Sequence, residues 1–345
     1  MNTTQQQLTE IVLPGKVEPE GLRVRRGPVP VPGPGQVLVA VEATGVSFAE
    51  QQMRRGRYFD QPPFPFVPGY DLVGRVTALG PGVPGDLEGC RIAALTKTGA
   101  WASHVLVDAE DAVPVPDGVG AAEAETAVLN GITAWQMLHR KARVRSGQTI
   151  LVHGAGGGVG SLLVQLARGA GVRVIGTASP RHHAALRARG VEPVDYRTGD
   201  VPARVRALAP GGVDAVFDHV GGRSVVDSWR LLAPGGTLVS YGSAATLDAE
   251  GSKMWPVLKI LGRMWAWNAL PNGRQAYFYN VWAGRKFGPK AFRARLRADL
   301  GQVLDALRRG EIGAGVAAEL PLERAGEALR LAESGTVAGK VVLVP

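Results

Sequence analysis

Apolar residues fall along the chain in two different rhythms. From about Gln36 to Val107 short apolar runs alternate with Gly and Pro: Val37-Leu38-Val39-Ala40-Val41, Asp71-Leu72-Val73-Gly74-Arg75-Val76 and Arg91-Ile92-Ala93-Ala94-Leu95. Runs of this kind between turn formers predict strands, and together they predict a β-rich, barrel-like domain. From about Glu123 the rhythm changes. A strand ending Ile150-Leu151-Val152 leads to helical spacing in Ser161-Leu162-Leu163-Val164-Gln165-Leu166-Ala167, and Val172-Arg173-Val174-Ile175-Gly176-Thr177 closes a βαβ unit. Ala215-Val216-Phe217-Asp218 and Gly236-Thr237-Leu238-Val239-Ser240-Tyr241 continue the alternation, which predicts an α/β fold with a doubly wound parallel sheet. After about Trp282 an amphipathic helix is predicted from Ala291 to Arg309, followed by a last strand, Lys340-Val341-Val342-Leu343-Val344. A single terminal strand cannot stand alone, so it is expected to return to the first domain. The expected division is 1–123 for the β-rich domain, 124–282 for the α/β domain and 283–345 for the return.

The junction of strand and helix in the first βαβ unit reads Val152-His153-Gly154-Ala155-Gly156-Gly157-Gly158-Val159-Gly160. Glycines there let backbone N–H groups and a helix N-terminus face a pyrophosphate that side chains would otherwise block. Ala155 takes the place of the first glycine of the usual GxGxxG, with Gly157 and Gly160 completing the pattern. The turn, including Gly158 and Val159, is therefore a candidate dinucleotide site.

Composition narrows the remaining classes. The 345 residues suffice for two domains with separate cores. The polar start, Met1 to Gln7, lacks the apolar core of a signal peptide, and no apolar run is long enough to span a bilayer. The single cysteine, Cys90, excludes an internal disulfide framework and fits a reducing cytoplasm. The net charge of +9 is spread over arginines such as those of Leu186-Arg187-Ala188-Arg189 and Arg293-Ala294-Arg295-Leu296-Arg297. These read as solvated helix faces, and no basic motif interleaved with aromatics points to nucleic acid.

Several motifs reach further: Gly45-Val46-Ser47-Phe48-Ala49-Glu50, Arg55-Gly56-Arg57-Tyr58, Pro65-Phe66-Val67-Pro68-Gly69-Tyr70-Asp71, Gly131-Ile132-Thr133-Ala134-Trp135 and the terminal Ala338-Gly339-Lys340-Val341-Val342-Leu343. With the glycine turn, they make the whole chain resemble the medium-chain dehydrogenase/reductase superfamily, in its zinc-independent quinone oxidoreductase and enoyl reductase branch. The resemblance implies a GroES-like catalytic domain, a Rossmann domain and a homodimer. Zinc-dependent members carry a Cys in the first of these motifs, a His-Glu pair after the glycine of the third, and a Cys shortly before the Thr-Ala pair. This chain has Ser47, Tyr70-Asp71 and Leu129 there, and lacks the four-cysteine structural lobe. Its six histidines show no spacing suited to a catalytic zinc, which needs three protein ligands and an open position. No metal is expected.

The end of the second α/β strand indicates which nicotinamide cofactor fits. NAD-preferring sites place an acid there for the ribose hydroxyls. Here Ala178 holds that place, followed by Ser179-Pro180-Arg181-His182-His183. A hydroxyl and cationic groups suit a 2′-phosphate, so NADPH is expected. Similar enzymes hold this phosphate with a Lys and a later Tyr; His183 and Tyr196 stand at those places. A histidine there predicts NADPH affinity that falls as pH rises through the imidazole's range. The resemblance adds Ser47, Thr133, Val220, Tyr241, Gly242 and Lys340 as cofactor contacts.

Without a metal to polarise a carbonyl, the reaction best supported by hydrogen bonds alone is conjugate reduction of an enone or enoyl thioester, or reduction of a quinone. Tyr58 matches the proton-donating tyrosine of similar enoyl thioester reductases, and Tyr70 is the second candidate. Trp255, Trp265, Trp267 and Trp282, with Tyr277, Phe278 and Tyr279, form an aromatic segment expected to serve as core or a dimer interface, or as a wall for a bulky, apolar or polycyclic small-molecule substrate. Two other functions remain open: a carbonyl or imine reductase acting on a specialised metabolite, and an NADPH-binding module with little turnover at a membrane or lipid, resembling vesicle-amine-transport-like proteins. Membrane association is not the expected one.

Overall fold

In the computed structural model, which describes residues 7–244 and 254–345, the chain forms two units. The first comprises Met1–Ile132, Phe287–Gly310 and Ala314–Pro345, and the second Thr133–Lys286 and Glu311–Gly313.

A hairpin of β1 (Gln7–Val12) and β2 (Arg23–Pro28) opens the first unit. Its main sheet has seven strands in the order β14-β15-β3-β4-β5-β7, with β6 also on β3: β3 (Gln36–Val46), β4 (Asp71–Leu79), β5 (Arg91–Leu95), β6 (His104–Asp108), β7 (Val113–Pro114), β14 (Val316–Pro321) and β15 (Lys340–Val344). Alternation on β3 sends Val37, Val39 and Val41 into one core with Leu72, Val76, Ile92 and Ala94. The terminal strand joins this sheet: β15 pairs antiparallel with β3, Val341 opposite Val46 and Leu343 opposite Thr44. Two helices complete the unit's use of its C-terminal chain, α8 (Pro289–Arg308) and α9 (Ala325–Glu333). Leu329 of α9 packs with Val341 and Leu343 of β15 in a second core. The short α1 (Phe48–Arg54) follows β3 directly.

The division expected at residue 123 falls inside α2 (Ala121–Trp135), and the units part after Ile132 instead. Most of α2 is tied into the first unit. The Leu129 N–H donates to Asp71 Oδ2 at 3.0 Å, and a β-carbon on Gly131 would meet Val303 of α8 at 2.5 Å.

The second unit is built on six parallel strands in the order β10-β9-β8-β11-β12-β13: β8 (Thr149–Val152), β9 (Arg173–Ala178), β10 (Val191–Asp195), β11 (Val213–Asp218), β12 (Leu232–Ser240) and β13 (Gln275–Phe278). Helices α3 (Gly158–Gly169), α4 (His183–Ala188), α5 (Val201–Leu208), α6 (Arg223–Leu231) and α7 (Met254–Asn268) connect them. This is a doubly wound sheet whose order reverses between β8 and β11, and ligands of such sheets bind beyond the strand ends at that reversal. Its strands read as near-continuous apolar runs because both faces are covered; Leu151, Ile175, Val216 and Leu238 are all fully buried.

Candidate functional site

At the end of β8 the chain turns sharply, and Gly157 becomes the N-cap of α3. The turn is tied to β9 by two hydrogen bonds, Gly154 N–H to Thr177 Oγ1 at 3.0 Å and Ala155 N–H to the Thr177 carbonyl at 2.9 Å. The first turn of α3 leaves N–H groups without partners inside the helix, which makes a local anion site. Gly160 seals the geometry: a β-carbon there would lie 2.1 Å from the Gly154 carbonyl oxygen. Ala155 keeps its methyl because Gly176 on β9 makes room, where a β-carbon would come within 2.6 Å of the Ala155 Cβ. The alanine variant of the turn is thus accommodated by a neighbouring strand.

The segment after β9 comes against this turn. The His182 ring packs on Gly156, where a β-carbon would sit 3.3 Å from the ring's Cγ. Burial, with Arg181 and His183 beside it, holds the His182 imidazole below its usual range. His183 Nε2 lies 3.1 Å from the Ala178 carbonyl, Ser179 is buried, and Arg181 Nε contacts His182 Nε2 at 3.2 Å. Tyr196 follows Asp195 in the loop after β10, with its side chain exposed.

Asp218, at the end of β11, is fully buried and organises the other side of the turn. Its Oδ1 accepts from the N–H groups of Val220 (2.8 Å) and Gly221 (3.0 Å), and its Oδ2 from Ser224 Oγ (2.7 Å) and Ser228 Oγ (2.8 Å). Ser228 in turn meets His153 Nε2 at 3.1 Å, and burial holds that imidazole below its usual range. The Tyr241 N–H donates to the Asp218 carbonyl at 2.9 Å, which aligns Tyr241 and Gly242 beside Val220. Thr133, at the start of the unit, is buried. A glycine cradle, an open helix N-terminus and polar strand ends beside one sheet reversal fit a dinucleotide.

In the first unit Tyr58 and Tyr70 meet. Both are buried, their hydroxyls are 2.9 Å apart and their rings lie edge to face at 6.4 Å. Burial pushes the Tyr58 phenol up to about 12; the hydrogen bond from Tyr70 opposes this, and the carboxyls of Asp60 and Glu50 add to it. Ser47 caps α1: its hydroxyl accepts from the Ala49 N–H and donates to Glu50 Oε2, and the Ser47 N–H donates to the same oxygen at 2.9 Å. Burial pushes the Glu50 carboxyl above its usual range despite that bond.

Lys340, expected among the cofactor contacts, is committed elsewhere. Its Nζ lies 2.7 Å from Asp71 Oδ2 and 2.6 Å from Glu125 Oε1, and all three side chains are buried. The sequence motifs mark Asp71 and Lys340 separately and do not mark Glu125, and nothing local shows that the three converge, because Lys340 lies 269 positions from Asp71 and 215 from Glu125. The Asp218–Ser228–His153 network was also missed; the only available signal was a polar residue ending each of two apolar strands.

The aromatic segment divides by environment. Trp267 stacks on Trp229 of α6 at 4.8 Å, within 3° of parallel, and Tyr279 is buried with its hydroxyl on Gln136 Oε1 at 3.0 Å. Trp265 and Trp255 on α7 instead face outward, 78 % and 58 % exposed. Among the described residues no group of three or more His, Cys, Asp or Glu is arranged to hold a metal ion, and no helix is long and apolar enough to cross a membrane.

Comparison with known proteins bears on both units. A family model described as the alcohol dehydrogenase GroES-like domain matches residues 33–117, and one described as zinc-binding dehydrogenase matches residues 190–343. The synaptic vesicle membrane protein VAT-1 homolog of Rattus norvegicus is 34 % identical over 334 residues, which cover 94 % of this chain and 80 % of that protein. A mycobacterial protein solved in complex with NADPH superposes with a TM-score of 0.82 at 30 % identity, covering 98 % of this chain and 100 % of that one. A quinone oxidoreductase from Pseudomonas syringae pv. tomato superposes with a TM-score of 0.83 at 27 % identity, with the same coverage of 98 % and 100 %.

Proposed function

Because the chain belongs to the medium-chain dehydrogenase/reductase superfamily, in its zinc-independent branch, we propose that this oxidoreductase uses NADPH to reduce an activated C=C bond or a quinone. The observation that carries this reading is the buried Tyr58–Tyr70 pair, with Tyr70 at the place where zinc-using relatives keep a ligand. Bound at the glycine turn, NADPH supplies a hydride to the substrate. Backbone N–H groups at the start of α3 hold the pyrophosphate, and Ser179, Arg181 and His183 take the 2′-phosphate, with Tyr196 at the rim. Val220, Tyr241, Gly242 and Thr133 line the nicotinamide end. Tyr58 keeps its phenolic proton across the neutral range, since its value is pushed up to about 12. It donates a hydrogen bond to the substrate oxygen or carbanion as negative charge develops, and then gives up the proton. Tyr70 holds the Tyr58 hydroxyl in place through their 2.9 Å bond. The same reading takes the substrate to be a small-molecule compound of apolar or aromatic character and the protein to be a homodimer.

The test is NADPH consumption against quinones, enones and enoyl thioesters, with zinc measured on the same sample. Turnover of at least one class at substoichiometric zinc is expected. No turnover of any class, or activity that requires one zinc per chain, overturns the reading.

Cofactor choice is tested at Ala178. An aspartate there would put a carboxylate against the 2′-phosphate and offer an acceptor to free ribose hydroxyls. Ala178→Asp is expected to raise the Kd for NADPH by about ten-fold, the equivalent of ~1.4 kcal/mol, and to lower that for NADH. Unchanged discrimination between the two in a binding titration counts against the assignment.

A further inference from the structure

The segment that carries Tyr58 is held to the rest of its unit by side chains. The Arg57 N–H donates to the Gln52 carbonyl at 2.7 Å, and Phe66 pairs with Leu13, but among the described residues no backbone–backbone hydrogen bond involves Tyr58 to Pro65. Two side-chain contacts cross this gap. The Tyr58 hydroxyl meets that of Tyr70, and the Asp60 carboxylate pairs with the Lys97 ammonium. Tyr70, by contrast, is gripped through its main chain. The N–H groups of Thr96 and Lys97 both donate to its carbonyl, at 2.9 and 3.2 Å, and Thr96 Oγ1 donates to the Gly69 carbonyl at 2.8 Å. Lys97, in the loop after β5, thus reaches Tyr70 with its backbone and the Tyr58 segment with its side chain.

The backbone of Lys97 adds a second observation. Its φ is +70°, a left-handed conformation that strains an L-residue and leaves glycine unstrained. Among the described residues one other non-glycine residue has a positive φ, Arg143, and it follows the helical turn ending at Ala142, where a left-handed residue is an ordinary terminator. Lys97 ends no helix. A glycine there would make the same N–H bond to Tyr70, so what the lysine adds is its contact with Asp60. The two side chains are 28 % and 61 % exposed, and exposed pairs add little to global stability. Strain without a matching gain in stability, held beside a reactive group, marks a functional position. The Asp60 carboxyl also adds to the rise of the Tyr58 phenol, which puts the pair's charge within reach of that hydroxyl.

We propose that Lys97 is a positioning residue for the Tyr58–Tyr70 pair: its N–H fixes Tyr70, and its ammonium, through Asp60, fixes the segment that presents the Tyr58 hydroxyl. A proton donor must stand at a set distance from the atom it protonates, and a misplacement of about 1 Å can lower a rate by about 100-fold. The main chain supplies no bond to hold Tyr58 at such a distance. Lys97 supplies the restraint two residues further on, from the same loop that holds Tyr70, so the two hydroxyls keep their 2.9 Å separation. This assignment rests on the reading of Tyr58 as proton donor and adds to it the residue that sets its geometry.

Lys97→Gly tests it, because glycine keeps the left-handed backbone and the bond to Tyr70 while removing the side chain; melting curves verify that the variant folds. NADPH oxidation is followed with whichever of naphthoquinone, cyclohexenone and a crotonyl thioester the parent reduces. The variant's kcat is expected to fall about ten-fold, with the Kd for NADPH at the parent value. Asp60→Ala removes the pair from its other end and is expected to match this loss, and Lys97→Arg, which keeps a cation for Asp60, to recover most of it. The decisive comparison uses the Tyr58→Phe background. With no hydroxyl left to place, Lys97→Gly should there change kcat by less than about two-fold, whereas a merely structural effect would repeat its full factor, since independent effects add. A parental kcat in Lys97→Gly or Asp60→Ala, no recovery in Lys97→Arg, or an equal loss in both backgrounds overturns the inference. Near-parental turnover of Tyr58→Phe alone, or a parent that reduces none of the three acceptors, overturns the functional reading instead, which is a separate result.

Discussion

Tyr58→Phe is expected to lower kcat by about 100-fold or more, the usual contribution of a positioned proton donor, while the Kd for NADPH stays at the parent value. The split follows from where the hydroxyl is. Tyr58 stands in the first unit, hydrogen-bonded to Tyr70 at 2.9 Å, whereas the glycine turn and the strand ends that bind the nucleotide belong to the second. The phenylalanine ring still fills the buried space and keeps its edge-to-face contact with Tyr70. Because burial pushes the phenol up to about 12, the parent should hold its kcat to well above neutral pH and lose it only as the hydroxyl ionises. Steady-state rates for the two proteins over a pH series, with parallel binding titrations, check both statements. Near-parental turnover in the phenylalanine variant would remove Tyr58 from the mechanism.

The largest effect on stability is expected at Lys340. Removing one partner of a buried ion pair typically costs about 3–5 kcal/mol, since the charge left behind stays desolvated. Lys340→Met leaves Asp71 and Glu125 facing each other in a buried site, with Asp71 Oδ1 and Glu125 Oε2 already lacking partners among the described residues. The triple variant with Asp71→Asn and Glu125→Gln should recover most of the loss, because no uncompensated charge remains. Urea unfolding checks both; a single variant within about 1 kcal/mol of the parent, the ordinary cost of a substitution, would rule out a structural role for the cluster.

The pH dependence of this cluster has a definite sign. Lys340 is raised by its two carboxylates against the opposing effect of burial, so its contribution is complete below the ordinary lysine value of 10.5 and is lost only as pH climbs through the higher folded value. Glu125 is also raised, by burial first and then by Asp71. Its contribution is complete below 4.5 and drains away as pH rises through its folded value. The parent should therefore lose stability relative to Glu125→Gln as pH rises from the acid side, and a constant difference between the two denies the raised carboxyl.

The parts of this molecule legible in the sequence were those where one local rule decides. Apolar runs such as Ile150-Leu151-Val152 and Val172 to Thr177 mark buried parallel strands, and the glycines from Gly154 to Gly160 mark the turn between strand and helix. Local rules do not report what a charged residue meets across the fold. Lys340 sits in an apolar strand like any edge residue, yet its partners come from the start of β4 and from α2. The aromatic segment looked uniform, but helical rotation sends Trp267 into the core and Trp265, two residues earlier, outward.

The accommodation of Ala155 by Gly176 makes two distant sequence positions share a single allotment of volume. A related chain with glycine at position 155 could carry a methyl at 176 if Val191, whose Cγ1 would lie 3.0 Å away, gave by a few tenths of an ångström, while one with side chains at both 155 and 176 would have to push the turn away from β9 and loosen its hold on Thr177. Position 176 should accordingly vary together with position 155, so the identity of a strand residue becomes a readable record of which form of the turn a given chain has adopted.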